Sequence, residues 1–328
     1  MATITRSAIR RLYNGLVSGS QKVDLVGVGL NAIDTLIPLT HFPARGSKTE
    51  FSSASILPGG QTATTVIACQ TWGRSTRYVG KVGDDEAGRL HHREFTRAGV
   101  DAQLITVPNA ASPQSLIIVD EGGERTVLCR RDERLLLQPS DLDRDWIVNA
   151  RALHVDGFET AAATQAASWA RAAGIPVIAD LDETYSGVEE LIANVDYLIV
   201  SRDFPTRLTR ERQLEQALRT IKRRFGCAIT AATLGADGVL AWDGKHFHAN
   251  PAYRVPVTDT TGAGDIFHAG FIYGLLQNWP LHRQLDFACA AAALNCTCSG
   301  ARGGIGTTET IEELMATTPH YAIARAAD

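Results

Sequence analysis

The sequence has little of what marks several large classes of protein. Its 328 residues include only two methionines and 7% aromatic residues, and the formal net charge at pH 7 is -4. A chain this close to neutrality has no electrostatic reason to bind nucleic acid or an anionic membrane. No apolar stretch approaches the roughly 20 residues of a membrane span. The composition therefore predicts a cytoplasmic protein with neither a nucleic-acid partner nor a membrane partner.

The six cysteines and nine histidines form no metal-binding or disulfide pattern. Cys296 and Cys298 are separated by one residue, whereas the cysteines of a zinc-binding pair are commonly separated by two, and HExxH is absent. The other cysteines lie in apolar contexts without regular spacing. These features favour reduced thiols over disulfides and predict no structural zinc site.

Residues 1–21 contain Arg6, Arg10 and Arg11 but no acidic residue. They lack the continuous apolar core of a secretory signal peptide, although an arginine-containing start without acids faintly resembles a transit peptide. We expect a loosely docked N-terminal arm over this range instead.

Beyond the arm, apolar strands alternate with helices of ten or more residues. Runs such as VDLVGVG, IPVIADLD and VDYLIVS are apolar almost throughout, and helical patterns follow them. Continuous apolar strands separated by helices indicate a mainly parallel sheet covered on both faces. The pattern predicts a three-layer α/β/α domain over residues 22–320 and a short C-terminal tail over residues 321–328.

Two segments, near residues 32–57 and 113–131, do not follow this alternation of strands and helices. They alternate polar and apolar residues around turns, as antiparallel strands with one face in water do. A small sheet inserted into an α/β body would form a lid over the ligand-binding end of the large sheet. We expect this lid to cover the substrate and its exposed apolar side to pair two chains as a homodimer.

Two common nucleotide-binding motifs fit the sequence poorly. GVGLNA, residues 27–32, matches the dinucleotide-binding pattern and follows a strand, but the residues after it are strand-like. The dinucleotide fingerprint needs a helix N-terminus for the pyrophosphate at that point. A Walker A loop is absent. NAD binding is therefore the weaker alternative, which a fluorescence titration with the cofactor would detect.

The stretch DTTGAGDIFHAGFIYGLL, residues 259–276, predicts a buried helix whose start binds an anion. Apolar residues occupy almost every position after Asp265, as in a core helix. The first turn of such a helix presents unpaired N–H groups, and Gly262, Ala263 and Gly264 let a phosphate approach them closely. Asp265 is then either a helix cap or a base that works beside the bound anion.

Over nearly its whole length, from about Val23 to Leu314, the chain resembles the ribokinase-like (PfkB) carbohydrate kinases. The features that carry the resemblance follow the order of that family: GLNAID, PGGQTAT, VGKVGDDEAGRL, SLIIVDEGGERTV, TLGADGVL and DTTGAGD. GAGD alone is a weak motif, but six ordered matches with suitable secondary structure are specific. The resemblance implies the ribokinase-like fold and an ATP-dependent sugar kinase that uses Mg²⁺ and, as in many relatives, a monovalent cation such as K⁺.

The resemblance also implies roles for individual residues. Asp265 matches the general base that takes the proton of a sugar hydroxyl, and we expect the helix end and Mg²⁺ to keep it ionised at pH 7. The other matches are Gly262, Ala263 and Gly264 for the anion hole, Asn31, Asp34, Gly59, Gly60, Gln61 and Thr64 for the sugar, Ser201, Thr233, Gly235, Gly238 and Cys289 for the nucleotide, and Asp259 and Thr261 for the monovalent cation.

Two departures from the family pattern bear on the ligands. Gln61 stands where the family has Asn after the glycine pair, which leaves the choice of sugar open. The family's NxxE motif, tied to Mg²⁺ and phosphate, is replaced by Ser201-Arg202-Asp203-Phe204. We therefore expect Mg²⁺ to be held through ATP oxygens and water, with Asp203 nearby.

Several stretches favour a ketose that is phosphorylated at a primary hydroxyl. The Ser-Arg-Asp replacement, HVDGFE and the cysteine-rich helix resemble ketohexokinases, while SPQSLIIVDEGGER and ALNCTCSGARGGI resemble sulfofructose kinases. Ribose, other sugars, sugar phosphates and nucleosides stay open as substrates, as does a non-catalytic sugar-binding role, because one fold hosts many functions. The intact GAGD argues against the non-catalytic role. Arg130 and Arg131, which end the second lid segment, form either a solvated pair or a site for an anionic group of the sugar.

Overall fold

The structure, a computed structural model, describes residues 22–121 and 125–322. The predicted N-terminal arm and residues 323–328 of the predicted tail lie outside the described residues. The strands in the described ranges are β1 (Val23–Val28), β2 (Ala32–Pro38), β3 (Ser55–Gly59), β4 (Thr76–Gly83), β5 (Asp101–Val107), β6 (Gln114–Val119), β7 (Arg125–Arg130), β8 (Ala150–Asp156), β9 (Val177–Leu181), β10 (Tyr197–Ser201), β11 (Ile229–Thr233), β12 (Val239–Trp242) and β13 (Phe247–Asn250). The α-helices there are α1 (Gln61–Thr71), α2 (Glu86–Ala98), α3 (Arg144–Val148), α4 (Thr160–Ala172), α5 (Val188–Ile192), α6 (Phe204–Thr209), α7 (Leu214–Phe225), α8 (Ala263–Leu276), α9 (Leu281–Asn295) and α10 (Thr308–Thr317).

A nine-stranded sheet forms the centre of the fold, in the order β13-β12-β11-β10-β9-β8-β1-β4-β5. From β11 to β5 all neighbours pair in parallel, and β12 and β13 add an antiparallel edge. Strand β9 is buried at every position because helices cover both faces of the sheet. The predicted mainly parallel sheet is confirmed.

Two helical layers cover this sheet. Helices α1, α2, α8, α9 and α10 share one hydrophobic core, and α3 to α7 share the other. Helix α8 is apolar on nearly all sides because it lies within the first layer, against α9. The two backbones approach closely at Gly270, where a Cβ atom would come within 2.7 Å of the Cα atom of Ala288. No helix in the described ranges is long and apolar enough to cross a membrane.

The two segments that depart from the alternation of strands and helices form a separate four-stranded sheet, in the order β3-β2-β6-β7. The pairs β2–β3 and β6–β7 are antiparallel, but β2 and β6 are parallel, so the expectation of antiparallel strands is wrong for the central pair. The chain enters β2 from β1 and enters β6 from β5, and these two strands run in the same direction in the large sheet. Because both segments leave the same edge of that sheet, they continue side by side in one direction.

Candidate active site

The glycine-rich turn before α8 places Asp265 at the edge of the large sheet where its parallel strands end. Gly262 precedes the helix with φ 75°, and a Cβ atom there would lie 2.4 Å from the carbonyl oxygen of Ala301, so this position requires glycine. The N–H of Ala263 donates to the carbonyl of residue 260 at 3.2 Å. The N–H groups of Gly264 and Asp265, which follow in the first turn, are available to a ligand. The predicted anion hole of Gly262, Ala263 and Gly264 stays a prediction.

The residues predicted to bind the sugar gather around the turn between β3 and α1. Asp34 of β2 is buried, and a Cβ atom at Gly59 would come within 2.1 Å of its Oδ2. Gly60 has φ 94° and lies against the backbone of Asn31, where a Cβ atom would be 2.5 Å from Cα. Gln61 follows as the first residue of α1 and is half-buried. The structure thus brings these five residues together.

The amide of Asn31 is already used in part within the protein. Its Nδ2 donates to the hydroxyl of Tyr78 at 2.8 Å and to the carbonyl of Lys81 at 3.0 Å. Its Oδ1 is buried and has no partner among the described residues. Only this oxygen, an acceptor, is therefore left for the predicted contact with a sugar hydroxyl.

Asp265 lies among other carboxyl groups. Burial, followed by the negative charges of Asp180, Asp34 and Asp156, raises the pKa of Asp265 well above its ordinary value, and the positive charge of Arg302 opposes the rise. We expect the helix end and Mg²⁺ to keep Asp265 ionised at pH 7, whereas burial and the neighbouring carboxylates oppose its ionisation. Loss of water and repulsion between like charges therefore act against the favourable effect of the helix end.

Sequence reasoning missed two of these carboxyl groups. Asp156, at the end of β8, accepts hydrogen bonds from the N–H of Leu30 at 2.7 Å and from Oγ1 of Thr62 at 2.8 Å, and burial raises its pKa to about 6. Asp180 of β9 lies 3.5 Å from Nδ1 of His268, and burial raises its pKa to about 6 as well. The available signal was an aspartate within an apolar strand, in HVDGFE and in IPVIADLD.

Arg302, also missed, supplies a positive charge beside the carboxyl groups. Its Nη2 donates to the carbonyl of Gly59 at 2.7 Å, and its Nε donates to Oγ1 of Thr64 at 3.1 Å. Thr64, a predicted sugar ligand, is buried in α1 and holds this guanidinium. Burial lowers the pKa of Arg302 to about 10, so the group stays charged at neutral pH. The signal for Arg302 was an arginine in the glycine-rich stretch SGARGGI, part of the segment that resembles sulfofructose kinases.

Most residues predicted to contact the nucleotide line one cavity of about 240 Å³ beside the first turn of α8. Thr233, Gly235, Gly238 and Cys289 line it together with Gly264. A mainly apolar wall next to unpaired helical N–H groups suits a base and its phosphates.

Three residues that the sequence did not indicate also line the cavity, and one residue predicted to contact the nucleotide does not line it. Tyr253, Val255 and Val257 line it from the irregular segment after β13, which has no periodic pattern to reveal its burial. Ser201 is not among the lining residues, and its hydroxyl donates to the carbonyl of Asp182 at 3.3 Å.

The residues predicted to hold a monovalent cation make contacts with the backbone. Asp259 accepts from the N–H of Thr261 at 2.9 Å through Oδ1 and from the N–H of Gly300 at 2.8 Å through Oδ2. The bond from Gly300 joins the loop after α9 to the loop before α8. The Oγ1 of Thr261 is buried and has no partner among the described residues. Within those residues, no group of three or more His, Cys, Asp or Glu side chains could hold a metal ion.

Comparison with known proteins decides the family. The profile of the pfkB family carbohydrate kinases matches residues 24–308. The chain belongs to this family. A 5-dehydro-2-deoxygluconokinase of Geobacillus kaustophilus is 26% identical over 318 residues, which cover 89% of this chain and 93% of the relative. An ATP-dependent ribose-1-phosphate kinase of Halopiger xanaduensis is 28% identical over 275 residues, which cover 82% of this chain and 90% of the relative.

Solved structures share the fold of this chain. Ribokinase of Arabidopsis thaliana, in complex with ribose and ATP, has a TM-score of 0.77 at 22% identity and covers 90% of this chain and 99% of its own. Ribokinase of Thermotoga maritima has a TM-score of 0.79, also at 22% identity, with coverage of 90% and 100%. The predicted ribokinase-like fold is confirmed, and the pfkB-family protein is an ATP-dependent carbohydrate kinase.

Proposed function

We propose that this pfkB-family kinase transfers the γ-phosphate of ATP to a primary hydroxyl of a small ketose or ketose-like sugar, with Asp265 as the general base. One observation supports the proposal above the others. Asp265 follows Gly264, which lines the nucleotide cavity, and it lies close enough to Asp34 of the sugar site for their charges to interact. A proton acceptor between a phosphate site and a sugar site is what phosphoryl transfer to a hydroxyl needs.

The chain's own groups divide the chemistry between them. Asp265 takes the proton of the sugar hydroxyl as its oxygen bonds to the γ-phosphorus and the bond to the leaving ADP oxygen breaks. The N–H groups of Gly264 and Asp265 stabilise negative charge on the transferring phosphoryl group. Asp34 accepts hydrogen bonds from sugar hydroxyls, and the glycines at 59 and 60 let the sugar approach the backbone.

The metal arrives with the nucleotide in this proposal. Mg²⁺ bound to the phosphates of ATP would neutralise charge that develops during transfer. Because the described residues offer no cluster that could cage a metal ion, we assign its remaining ligands to ATP oxygens and water. Asp203, which immediately precedes α6, is the candidate carboxylate near the phosphates. Asp259 and Thr261 stay the predicted ligands of a monovalent cation.

An anionic ketose is the more specific form of the substrate, and a neutral ketose is the alternative. The two relatives are named as kinases of 5-dehydro-2-deoxygluconate and of ribose-1-phosphate, and a gluconate and a sugar phosphate both carry an anionic group. The guanidinium of Arg131 lies 3.6 Å from the ring centroid of Phe158, two residues beyond Asp156 at the end of β8. This position could receive the anionic group of a sugar bound near Asp34.

The small sheet has a proposed role as a lid and as a homodimer interface. It carries the predicted sugar ligands Asp34 and Gly59 on strands β2 and β3, so movement of the sheet would open or close the sugar site. Ile56 and Leu128 are exposed by 66% and 57% on the same sheet. An apolar surface of this kind suits a second copy of the chain.

A coupled assay of ADP release tests the proposed function. The purified protein is given ATP and Mg²⁺, with and without K⁺, and a panel of fructose, sulfofructose, 5-dehydro-2-deoxygluconate, ribose, ribose-1-phosphate and adenosine. We expect the highest kcat/KM for a ketose with an anionic group, and NMR of the product to place the phosphate on a primary hydroxyl. Highest turnover of ribose or adenosine would overturn the ketose assignment. Sugar binding without ADP release for the whole panel would indicate a non-catalytic sugar-binding protein, and equal rates without K⁺ would remove the cation from the proposal.

A further inference from the structure

Residues 319–321, which follow α10, are fixed to the irregular segment between β13 and α8. The N–H of Tyr321 donates to the carbonyl of Ala252 at 2.9 Å, and the carbonyl of Pro319 accepts the N–H of Arg254 at 2.9 Å. These two bonds flank an antiparallel bridge between the segments. The pairing therefore sets the position of the Tyr321 backbone relative to the segment after β13.

Side chains fasten the same pairing to α9. The Nδ1 of His320 donates to the carbonyl of Pro251 at 2.8 Å, and its ring centroid lies 4.0 Å from that of Tyr253. The hydroxyl of Tyr253 in turn donates to Oδ1 of Asp286 on α9 at 2.8 Å. Tyr321 is thus the neighbour of a residue that is held by both its backbone and its side chain.

The side chain of Tyr321 lines the cavity that we assign to the nucleotide. It is half-buried there, and no charged side chain of the described residues lines this cavity. The hydroxyls of Thr233 and Tyr253, which also line it, already donate within the protein, to the carbonyl of Val200 at 3.3 Å and to Asp286. A base bound in the cavity would therefore be held mainly by packing, and an aromatic ring offers it a large flat contact.

The position of Tyr321 along the cavity indicates which part of the nucleotide it meets. Cys289 and Cys296 both line the cavity and are seven residues apart along α9 and its end, which corresponds to about 10 Å. The carbonyl of Cys296 accepts the N–H of Thr258 at 2.8 Å, shortly before α8. The Sγ of Cys289 donates to the carbonyl of Asn250 at 3.7 Å, two residues before the carbonyl that holds the N–H of Tyr321. Because the phosphates are assigned to the first turn of α8, Tyr321 lies at the opposite end, where the base belongs.

We propose that Tyr321 is a nucleotide-binding residue whose ring packs against the base of ATP, and that residues 319–321 hold it there. The proposal rests on the assignment of this cavity to ATP. A contact with the base is the same for ATP and ADP, whereas a contact at the first turn of α8 would distinguish them through the γ-phosphate. Since the base does not change during phosphoryl transfer, loss of the contact should raise KM for ATP far more than it lowers kcat.

The test is the affinity of Tyr321→Ala for ATP and for ADP, measured by calorimetry, with Tyr321→Phe as the conservative variant that keeps the ring. We expect Kd to rise by about ten-fold for both nucleotides in Tyr321→Ala, because an aromatic ring that stacks on a base contributes binding free energy of this order. Tyr321→Phe should recover most of the lost affinity. Wild-type affinity in Tyr321→Ala, or a loss for ATP alone, would overturn the proposal, as would a loss in Tyr321→Phe as large as in Tyr321→Ala.

Hydrogen exchange separates a contact with the base from a general loosening of this wall. The N–H of Arg254, which bonds to the carbonyl of Pro319, should exchange as slowly in Tyr321→Ala as in wild type. Tyr321→Leu, which keeps an apolar side chain without a ring to stack, replaces Tyr321→Ala if the bond opens in the latter. Wild-type affinity in Tyr321→Leu would then overturn the proposal, and circular dichroism checks the folding of each variant.

Ala292→Trp separates the proposal from the assignment of the cavity. Ala292 is half-buried and lines the cavity from α9, so a tryptophan there would fill the space of the nucleotide. Loss of ATP binding in Ala292→Trp with wild-type affinity in Tyr321→Ala would keep the cavity as the nucleotide site and overturn the role of Tyr321. Wild-type affinity in both variants would overturn the cavity assignment as well, while ADP release with a sugar of the panel would leave the proposed kinase reaction standing.

Discussion

Gly264→Ala should separate the stability of the protein from its activity. Gly264 is the second residue of α8, has an ordinary backbone conformation, and has open space around it, because an added Cβ atom would meet no atom within 4 Å. The change from glycine to alanine then acts mainly by restricting the unfolded chain, which stabilises a protein by about 0.4–1 kcal/mol. For a chain of this size we expect the Tm to rise by about 0.5–1.5 °C.

The same open space is where we place the phosphoryl group. Gly264 lines the nucleotide cavity, so a methyl group there would stand between the ligand and the first-turn N–H groups. Loss of one such donor to a developing charge lowers kcat by about 10²–10³. We therefore expect a protein that melts later than wild type and has lost most of its kinase activity.

Gly262→Ala is the contrasting variant in the same turn. Its φ of 75° and the 2.4 Å approach of a Cβ atom to the carbonyl oxygen of Ala301 predict a lower Tm together with lower activity. Differential scanning fluorimetry and the ADP-release assay measure both quantities on both variants. Wild-type kcat/KM in a well-folded Gly264→Ala would show that the phosphoryl group does not approach this turn, and the site would have to be reassigned.

Three further predictions concern the substrate, the small sheet and the charge of the site. Arg131→Ala should raise KM for an anionic sugar far more than for a neutral one. Arg130→Ala is the control, because the charge of Arg130 acts on Asp85. Equal effects of Arg131→Ala on both sugars would refute the anion site. Leu128→Asp should convert a homodimer to a monomer in light scattering. The Leu128 side chain is 57% exposed on the small sheet, so aspartate would place a charge in the proposed interface. A wild-type protein that is itself monomeric would refute the interface. Asp265→Asn should raise the Tm more at pH 8 than at pH 4. Because the pKa of Asp265 is raised in the folded protein, stability is lost as the pH rises from the ordinary aspartate range through the pKa of the folded state. Asparagine does not titrate, so the variant has no such loss. A Tm difference that does not depend on pH would contradict the raised pKa.

Local patterns predicted most of the fold. The parallel sheet follows from continuous apolar strands such as β9, and the start of α8 follows from the glycine pair that frames it. The parallel pairing of β2 with β6 could not be predicted in the same way. It depends on where β1 and β5 end in the large sheet, which no short stretch of sequence encodes.

The residues of the candidate site that belong to a sequence motif could be predicted. The charged groups that tertiary packing places around them could not. Asp265 and Gly262 belong to one motif, so their proximity is built into the chain. The charges that act on Asp265 come from positions 34, 156, 180 and 302, which the fold brings together from distant segments. The helix dipole is a local effect and could be inferred from the sequence, whereas burial and like-charge repulsion, which raise the pKa of Asp265, are set by packing.

The central claim is that Asp265 is the general base for phosphoryl transfer. Its most direct test is kcat of Asp265→Asn on the best sugar, together with ATP affinity measured by calorimetry and folding measured by circular dichroism. Asparagine keeps the size of the side chain but cannot take up the proton, so we expect kcat to fall by roughly 10²–10⁴ while ATP binding changes little. Near-normal turnover by a correctly folded Asp265→Asn protein would contradict the claim and would mean that the base lies elsewhere.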